Sequence, residues 1–261
     1  MSEAFLSGVP EGLRVLVTAG AGGIGRAIAE TFVAHGARVH VCDVSQEALD
    51  DCLAAGTMTG SLADVGSESD VDHLFEEVQR HLGGLDVLVN NAGLAGPTAE
   101  VEDIDAEAWC RTVDVNLSGH FFCTRRAAPL LKQNGDGAII NIASVAGRLG
   151  YASRLPYAAT KWGIVGVTAS LAKELGPYGI RVNAILPGIV EGPRMQRVIA
   201  ARAEASGVSY EAMEQQYLSR ISLRRMVSPQ DVADMALFLC SRHGRNVSGQ
   251  PISVCGNVET L

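Results

Sequence analysis

Residues 13–35 constrain this chain more than any other stretch. The apolar run 13–18 reads as a buried strand, Ala19-Gly20-Ala21-Gly22-Gly23-Ile24-Gly25 as a glycine-rich turn, and the pattern from Arg26 to about His35 as a helix. Glycines in such a turn let the backbone come close to a phosphate. The helix N-terminus offers that phosphate unpaired N–H groups and the positive end of a dipole. Gly20, Gly22 and Gly25 fall in the G-x-G-x-x-G spacing of a dinucleotide site, with Gly23 and Ile24 inside it. A merely tight loop would use the same glycines, so the next strand decides. Residues 38–42 alternate apolar and polar side chains and end at Asp43. A carboxylate there accepts hydrogen bonds from the adenosine ribose hydroxyls and repels a 2′-phosphate, which favours NAD over NADP. A turn or helix-capping aspartate is the competing reading of Asp43.

A second cluster points to proton transfer. Tyr157 and Lys161 stand four residues apart in a stretch that reads as helix, so both project from one face. A free phenol titrates near pKa ~10 and is a poor base at neutral pH unless a cation lies close by, the place Lys161 is set to fill. Ser144 follows the apolar run 138–143, which reads as a strand. Its hydroxyl therefore lies outside a strand's carboxyl end, where ligands of open α/β sheets bind. An ordinary surface tyrosine and lysine would show the same spacing, and the pair gains meaning only beside the glycine turn.

Strand patterns at 13–18, 37–42, 57–63, 85–90, 137–143, 180–186 and 250–255 alternate with helical ones. That order predicts a Rossmann-type α/β fold: a doubly wound, parallel, seven-stranded sheet with helices on both faces. The 261 residues are 47% apolar and carry no repeat or low-complexity linker, so one domain spanning 1–261 is expected. Residues 189–227 form a long insertion with apolar spacing at Met195, Val198 and Ile199 and again at Met213 and Tyr217. Beside Pro187-Gly188 this reads as a substrate lid, although ordinary packing would give the same stripes. A formal charge of −8 argues against nucleic acid, which demands a basic face. No secretory leader and no apolar run of membrane-spanning length is visible. Cys42, Cys52, Cys110, Cys123, Cys240 and Cys255 are scattered without metal-binding spacing. They read as reduced thiols, and a cytoplasmic protein without a bound metal is expected. His120, four residues past Asn116, reads as structural.

From residue 13 to 256 the chain resembles the short-chain dehydrogenase/reductase family. The residues that carry the likeness are the turn at 18–25, Asp64, Asn90-Asn91-Ala92-Gly93, Asn116, Ser144, Tyr157 with Lys161, and Pro187-Gly188. The resemblance implies that Asn116, Ser144, Tyr157 and Lys161 are a catalytic tetrad. It also implies that Asp64 and Val65 flank the adenine, and that Asn91, Ala92, Gly93, Pro187, Gly188 and Val190 border the cofactor. Tyr157 would exchange a proton with the substrate oxygen and Ser144 would orient that oxygen. Lys161 would hold the nicotinamide ribose, and Asn116 would link Lys161 to solvent through its backbone or a water. Two positions depart from the family. Ala19 stands where glycine follows the threonine of the turn, and Gly192, before Pro193, stands where a threonine meets the carboxamide. The resemblance further implies a homotetramer with contacts through the Tyr157 helix and the segment 233–261.

The implied reaction is NAD-dependent interconversion of an alcohol and its carbonyl, the alcohol being a secondary alcohol, hydroxy acid or sugar. A 3-oxoacyl-carrier-protein reductase and a non-catalytic NAD-binding sensor are the alternatives. The first is disfavoured by Asp43, the second by an intact tetrad that a pure binder would not use. Arg148, Arg154, Arg194 and Arg197 flank the catalytic segment and the insertion. Arginine forks there suit an anionic substrate, or they pair with this acidic protein's own carboxylates.

Overall fold

The computed structural model describes residues 8–258. Seven strands, β1 (Arg14–Thr18), β2 (Arg38–Asp43), β3 (Thr59–Leu62), β4 (Val87–Asn90), β5 (Gly137–Ile142), β6 (Ile180–Pro187) and β7 (Pro251–Val254), form one sheet. Its order is β3-β2-β1-β4-β5-β6-β7 and every pairing is parallel, as expected. The helices are α1 (Gly23–Ala34), α2 (Gln46–Leu53), α3 (Glu68–Leu82), α4 (Ala106–Val113), α5 (Gly119–Asn134), α6 (Leu155–Leu175), α7 (Pro193–Ser206), α8 (Tyr210–Ser219) and α9 (Pro229–Cys240). Strands β3, β4 and β7 are shorter than their sequence patterns, which run on into the flanking turns.

Strands buried on both faces read as continuous apolar runs, and alternate residues serve opposite layers. In β1, Val15 and Val17 join Ile28 and Phe32 of α1 and Val232, Ala236 and Leu237 of α9 on one side. Leu16 joins Leu74 and Val78 of α3 and Leu131 of α5 on the other. In β5 the same parity sends Ile140 to the first layer and Ile139 to the second. The sheet is thus sandwiched between two helical layers.

Helix α1 begins three residues before the sequence boundary, because Arg26 N donates to Gly22 O at 3.1 Å and closes a helical turn inside the glycine segment. The insertion folds as α7 and α8, packed on each other through Ile199, Ala203 and Met213, with Met195 and Tyr217 against them. Val198 does not join this face and is 40% exposed. The base of the insertion is tied by a short parallel bridge, in which Val227 N donates to Ile189 O and Glu191 N to Val227 O, both at 2.9 Å. Helix α9, expected at a subunit contact, buries Val232, Ala233, Ala236 and Leu237 against the first layer of its own chain. The last three residues of that expected contact segment, 259–261, lie outside the described residues. No described helix is long and apolar enough to cross a membrane.

Candidate active site

The sheet changes its winding direction between β1 and β4, and a crevice opens at the carboxyl ends of those strands. Thr18, the last residue of β1, locks them together. Its Oγ1 accepts from Asn91 N at 2.9 Å and Ala92 N at 3.0 Å, while Asn91 Nδ2 donates to the carbonyls of Thr18 and Ala19 at 3.0 Å each. The turn glycines divide into two kinds. A Cβ on Gly20 would strike Val41 at 2.7 Å, and one on Gly25 would strike Ala19 O at 2.2 Å and Asn91 Nδ2 at 2.5 Å, so these two serve close packing. Gly22 and Gly23 face open space, and Gly23 adopts φ +53°. No side chain caps α1, so its first N–H groups point free into that space. The cradle fits a dinucleotide pyrophosphate.

Ala19 holds φ +48°, a left-handed conformation that glycine adopts freely and alanine adopts at a cost. The departure at this position therefore strains the turn without reshaping it. Asp43 ends β2 beside the turn, where its Oδ2 accepts from Ala21 N at 3.3 Å and its Oδ1 from Ser45 N at 3.2 Å. Asp43 thus braces the turn, as the turn-aspartate reading expects. Asp64 accepts from Arg111 Nη2 at 2.6 Å and from Gly66 N at 2.9 Å, and the Val65 side chain is buried in the second layer. An adenine at this edge would meet their backbone.

At the far side Gly188 N donates to Val254 O at 3.0 Å, and a Cβ there would strike Cys255 at 2.8 Å. Gly192 adopts φ +141°, which a threonine would not hold, and this explains the second departure. The bridge uses the carbonyl of Ile189, leaving the N–H and C=O of Val190 as the backbone groups able to meet a carboxamide.

Helix α6 carries two of the four expected tetrad residues. Its first turn carries Tyr157 and its second Lys161, whose Nζ donates to Ile142 O at 2.9 Å, at the end of β5 and two residues before Ser144. Lys161 Nζ lies 5.7 Å from the Tyr157 ring centroid. Burial pushes the Lys161 ammonium down to about 8, so it stays largely protonated at neutral pH. Ser144 is buried, its Oγ accepting from Ala146 N at 3.1 Å, and the short helical turn that follows packs against Lys161 through Gly147. Gly93 completes the floor, since a Cβ there would sit 3.4 Å from Lys161 Nζ and 3.5 Å from Asn116 Oδ1.

Asn116 lies in a π-helical turn, Asp114–Ser118, and its side chain is fully committed. Oδ1 accepts from Leu94 N at 2.7 Å, and Nδ2 donates to Leu94 O at 3.0 Å and to Thr160 Oγ1 at 3.1 Å. Thr160 in turn donates to the Tyr157 carbonyl at 2.9 Å. The side chain therefore braces the Tyr157 turn, and only the Asn116 backbone is left for a proton relay. His120 is buried behind the site. Its Nε2 lies 3.3 Å from Ala92 O, which can only accept, so Nε2 carries the hydrogen and Nδ1 has no partner. Burial, and to a smaller degree the charge of Lys161, lowers it to about 3.

The arginines separate. Arg148 reaches away from the tyrosine to Pro251 O and Ser253 Oγ on β7. Arg154 is part-buried and lies against the Tyr157 ring. Arg197 is exposed on α7, and the Arg194 side chain is outside the described residues. Sequence reasoning missed the bracing roles of Thr18 and Thr160. Both threonines stand within the quoted motifs, but one-dimensional spacing shows neither what a hydroxyl faces nor that it bonds to backbone.

A family profile described as enoyl-(acyl carrier protein) reductase matches residues 19–257. The chain is 34% identical over 253 residues to a 3-oxoacyl-acyl-carrier-protein reductase of Thermotoga maritima, covering 95% of this chain and 98% of that one. It is 36% identical over 253 residues to a trans-4-hydroxycyclohexanecarboxylate dehydrogenase of Sinomonas cyclohexanicum, covering 92% and 90%. Among solved structures, an actinorhodin polyketide ketoreductase with NADPH superposes with TM-score 0.89 at 35% identity, covering 96% and 98%. An NAD+-bound xylitol dehydrogenase superposes with TM-score 0.88 at 28% identity, covering 95% and 99%. On this evidence of sequence and fold together, the chain belongs to the short-chain dehydrogenase/reductase family.

Proposed function

We propose that this protein is an NAD(H)-dependent oxidoreductase that interconverts an alcohol and its carbonyl, with Tyr157 as general acid/base. The observation that carries the reading is the Lys161 ammonium, tied to the end of β5 and 5.7 Å from the Tyr157 ring, on the same crevice as the open glycine turn. In the oxidative direction Tyr157 accepts the proton of the substrate hydroxyl. Ser144 hydrogen-bonds the same oxygen and stabilises charge developing on it. Lys161 favours the phenolate and holds the nicotinamide ribose, with Asn116 passing protons through its backbone. Gly22, Gly23 and Ile24 would hold the pyrophosphate in the turn that Gly20 and Gly25 pack closely, and Asp43 would hold the adenosine ribose, while Asp64, Val65, Asn91, Ala92, Gly93, Pro187, Gly188 and Val190 would line the rest. The bound nicotinamide supplies the hydride acceptor.

Asp43 favours NAD, since a 2′-phosphate would meet a carboxylate already fixed by Ala21 and Ser45. Relatives named for NADPH and for NAD+ both align well, so the cofactor is best tested directly. The ketoreductase reading is the runner-up, favoured by the Thermotoga relative. Polyols, sugars, hydroxy acids and 3-oxoacyl thioesters are assayed with each cofactor by absorbance of the reduced nicotinamide. NAD-linked alcohol oxidation with poor use of NADP is the expected outcome. Equal kcat/KM with both cofactors, or preference for NADPH and thioesters, would replace it with the runner-up.

Residues 189–227 act as the lid of a single domain spanning the chain. Phe121, Leu155 and Trp162 are 53%, 45% and 51% exposed on α5 and α6, which suits a homotetramer built through these helices. Light scattering in solution tests the assembly.

A further inference from the structure

Arg154 immediately precedes α6 and shares a turn with Tyr157. Its guanidinium carbon lies 5.3 Å from the Tyr157 ring centroid and 5.3 Å from that of Tyr151. Nη2 donates to Ala95 O at 2.7 Å, just beyond Asn91-Ala92-Gly93, which fixes the plane of the fork. That is the guanidinium's one hydrogen bond among the described residues. Nε is buried without an acceptor, a state no other described arginine nitrogen shares. Carboxylates are plentiful in this chain: Arg14, Arg26, Arg80, Arg111, Arg125 and Arg126 each pair with at least one. Arg154 pairs with none of the described acids. Glu100, the acid recorded nearby, is instead hydrogen-bonded by Ser153 Oγ at 3.1 Å. Leaving a guanidinium part-buried and unpaired is costly, so its placement against the reacting phenol calls for a function. With Nη2 on Ala95 O and Nε buried, Nη1 is the nitrogen left to meet a ligand, and a guanidinium there matches a carboxylate better than any neutral group.

We propose that Arg154 determines specificity by binding a substrate carboxylate, which makes the alcohol a hydroxy acid. This rests on the reading of Tyr157 as the group that meets the substrate oxygen. A guanidinium in the same turn as Tyr157 calls for an anion close to the carbinol, as in a 2- or 3-hydroxy acid.

The test compares 2- and 3-hydroxybutyrate with their methyl esters, using the full chain with NAD, in the parent protein and in Arg154→Gln and Arg154→Lys. Glutamine keeps a donor for Ala95 O without the charge, and lysine keeps the charge without the fork. The parent is expected to prefer the acids. Arg154→Gln should raise the acid-to-ester KM ratio at least ~10-fold, and Arg154→Lys should restore part of it. A turnover-independent arm measures calorimetric binding of acetoacetate and its methyl ester to the NADH complex of Tyr157→Phe, with and without Arg154→Gln. Loss of acetoacetate binding alone supports the assignment. An unchanged acid-to-ester ratio in Arg154→Gln overturns it while the reaction reading stands. So does an equal fall in kcat for both classes, which would make Arg154 a brace for Tyr157. Absence of NAD-linked oxidation of every alcohol overturns the reaction reading and this assignment with it.

Discussion

The glycine turn after β1 and the α7–α8 pair after β6 both follow strands of one sheet, yet they are held in opposite ways. The turn is fixed by backbone and short polar groups: Thr18, Asn91 and Asp43 hold it, and Gly20 and Gly25 have no room for another atom. The α7–α8 pair has its own small cluster around Ile199, Ala203 and Met213, joined to the rest by the Val190–Val227 and Ile221–Val258 bridges. A site that must present one geometry to a pyrophosphate gains from the first arrangement. A site that must admit and release a substrate gains from the second, because small clusters open at lower free energy than the main core.

Acid should test the fold most severely, since it buries two neutral histidines, His40 within the sheet and His120 behind the site. His40 of β2 is bonded by Thr59 and Ser61 and is lowered to about 4, chiefly by burial, and His120 behind Lys161 is lowered to about 3. A histidine whose folded pKa is depressed stabilises the fold fully above its unfolded value near ~6.5 and loses that contribution as pH falls toward the folded value. The histidine contribution to denaturant stability should therefore be constant above pH ~6.5 and drop by a few kcal/mol per histidine toward pH ~4. His40→Gln should remove part of that slope. A stability that is the same at both ends of this range would show that neither ring is held neutral.

Tyr157→Phe should lower turnover at least ~10²-fold, about 2.7 kcal/mol of barrier, while NAD binding persists. Near-normal turnover would remove the phenol from the chemistry and leave the crevice a binding site only. Next in size are two substitutions that contrast the turn with the helical pair. Gly25→Ala forces a Cβ into Ala19 O and Asn91, at an expected cost of about 1–3 kcal/mol in global stability together with weakened NAD binding. Met213→Ala removes a side chain that is 6% exposed in the small cluster, and should raise substrate KM while NAD affinity holds. If Met213→Ala weakens NAD binding as much as Gly25→Ala does, the two regions are not independent.

The contrast also explains what the chain's order of residues revealed. Glycines and the acid after β2 were legible because a phosphate cradle demands missing side chains, and missing side chains are visible in a sequence. Strands β1, β4 and β5 were legible because burial on both faces leaves continuous apolar runs, while β2 showed as an alternation and the half-exposed β3 and β7 carry fainter patterns. The α7–α8 pair was legible as helices but not in its facing, and Val198 shows why: a stripe beside a small cluster has room for only part of its apolar residues. The arginines were least legible. Arg148 and Arg154 lie six residues apart and look alike in sequence, yet one ties β7 and the other touches Tyr157. Such partners are set by three-dimensional packing, which no local spacing encodes.

The smallest expected effect is also the most diagnostic of the turn. Ala19 occupies φ +48° although its neighbours include three glycines within the next four positions. Replacement by glycine relieves the left-handed cost of about 1–2 kcal/mol but adds unfolded-chain entropy of about 0.4–1 kcal/mol, so Ala19→Gly should stabilise by roughly 0.5–1 kcal/mol. Because Ala19 O also accepts from Asn91 Nδ2 and abuts Gly25, relaxation there would reach the pyrophosphate cradle itself. Denaturant midpoints and NAD titrations of the variant measure both effects together. A destabilised Ala19→Gly protein would mean that the methyl group makes a packing contribution larger than the strain, and that apolar packing as well as hydrogen bonding holds the turn.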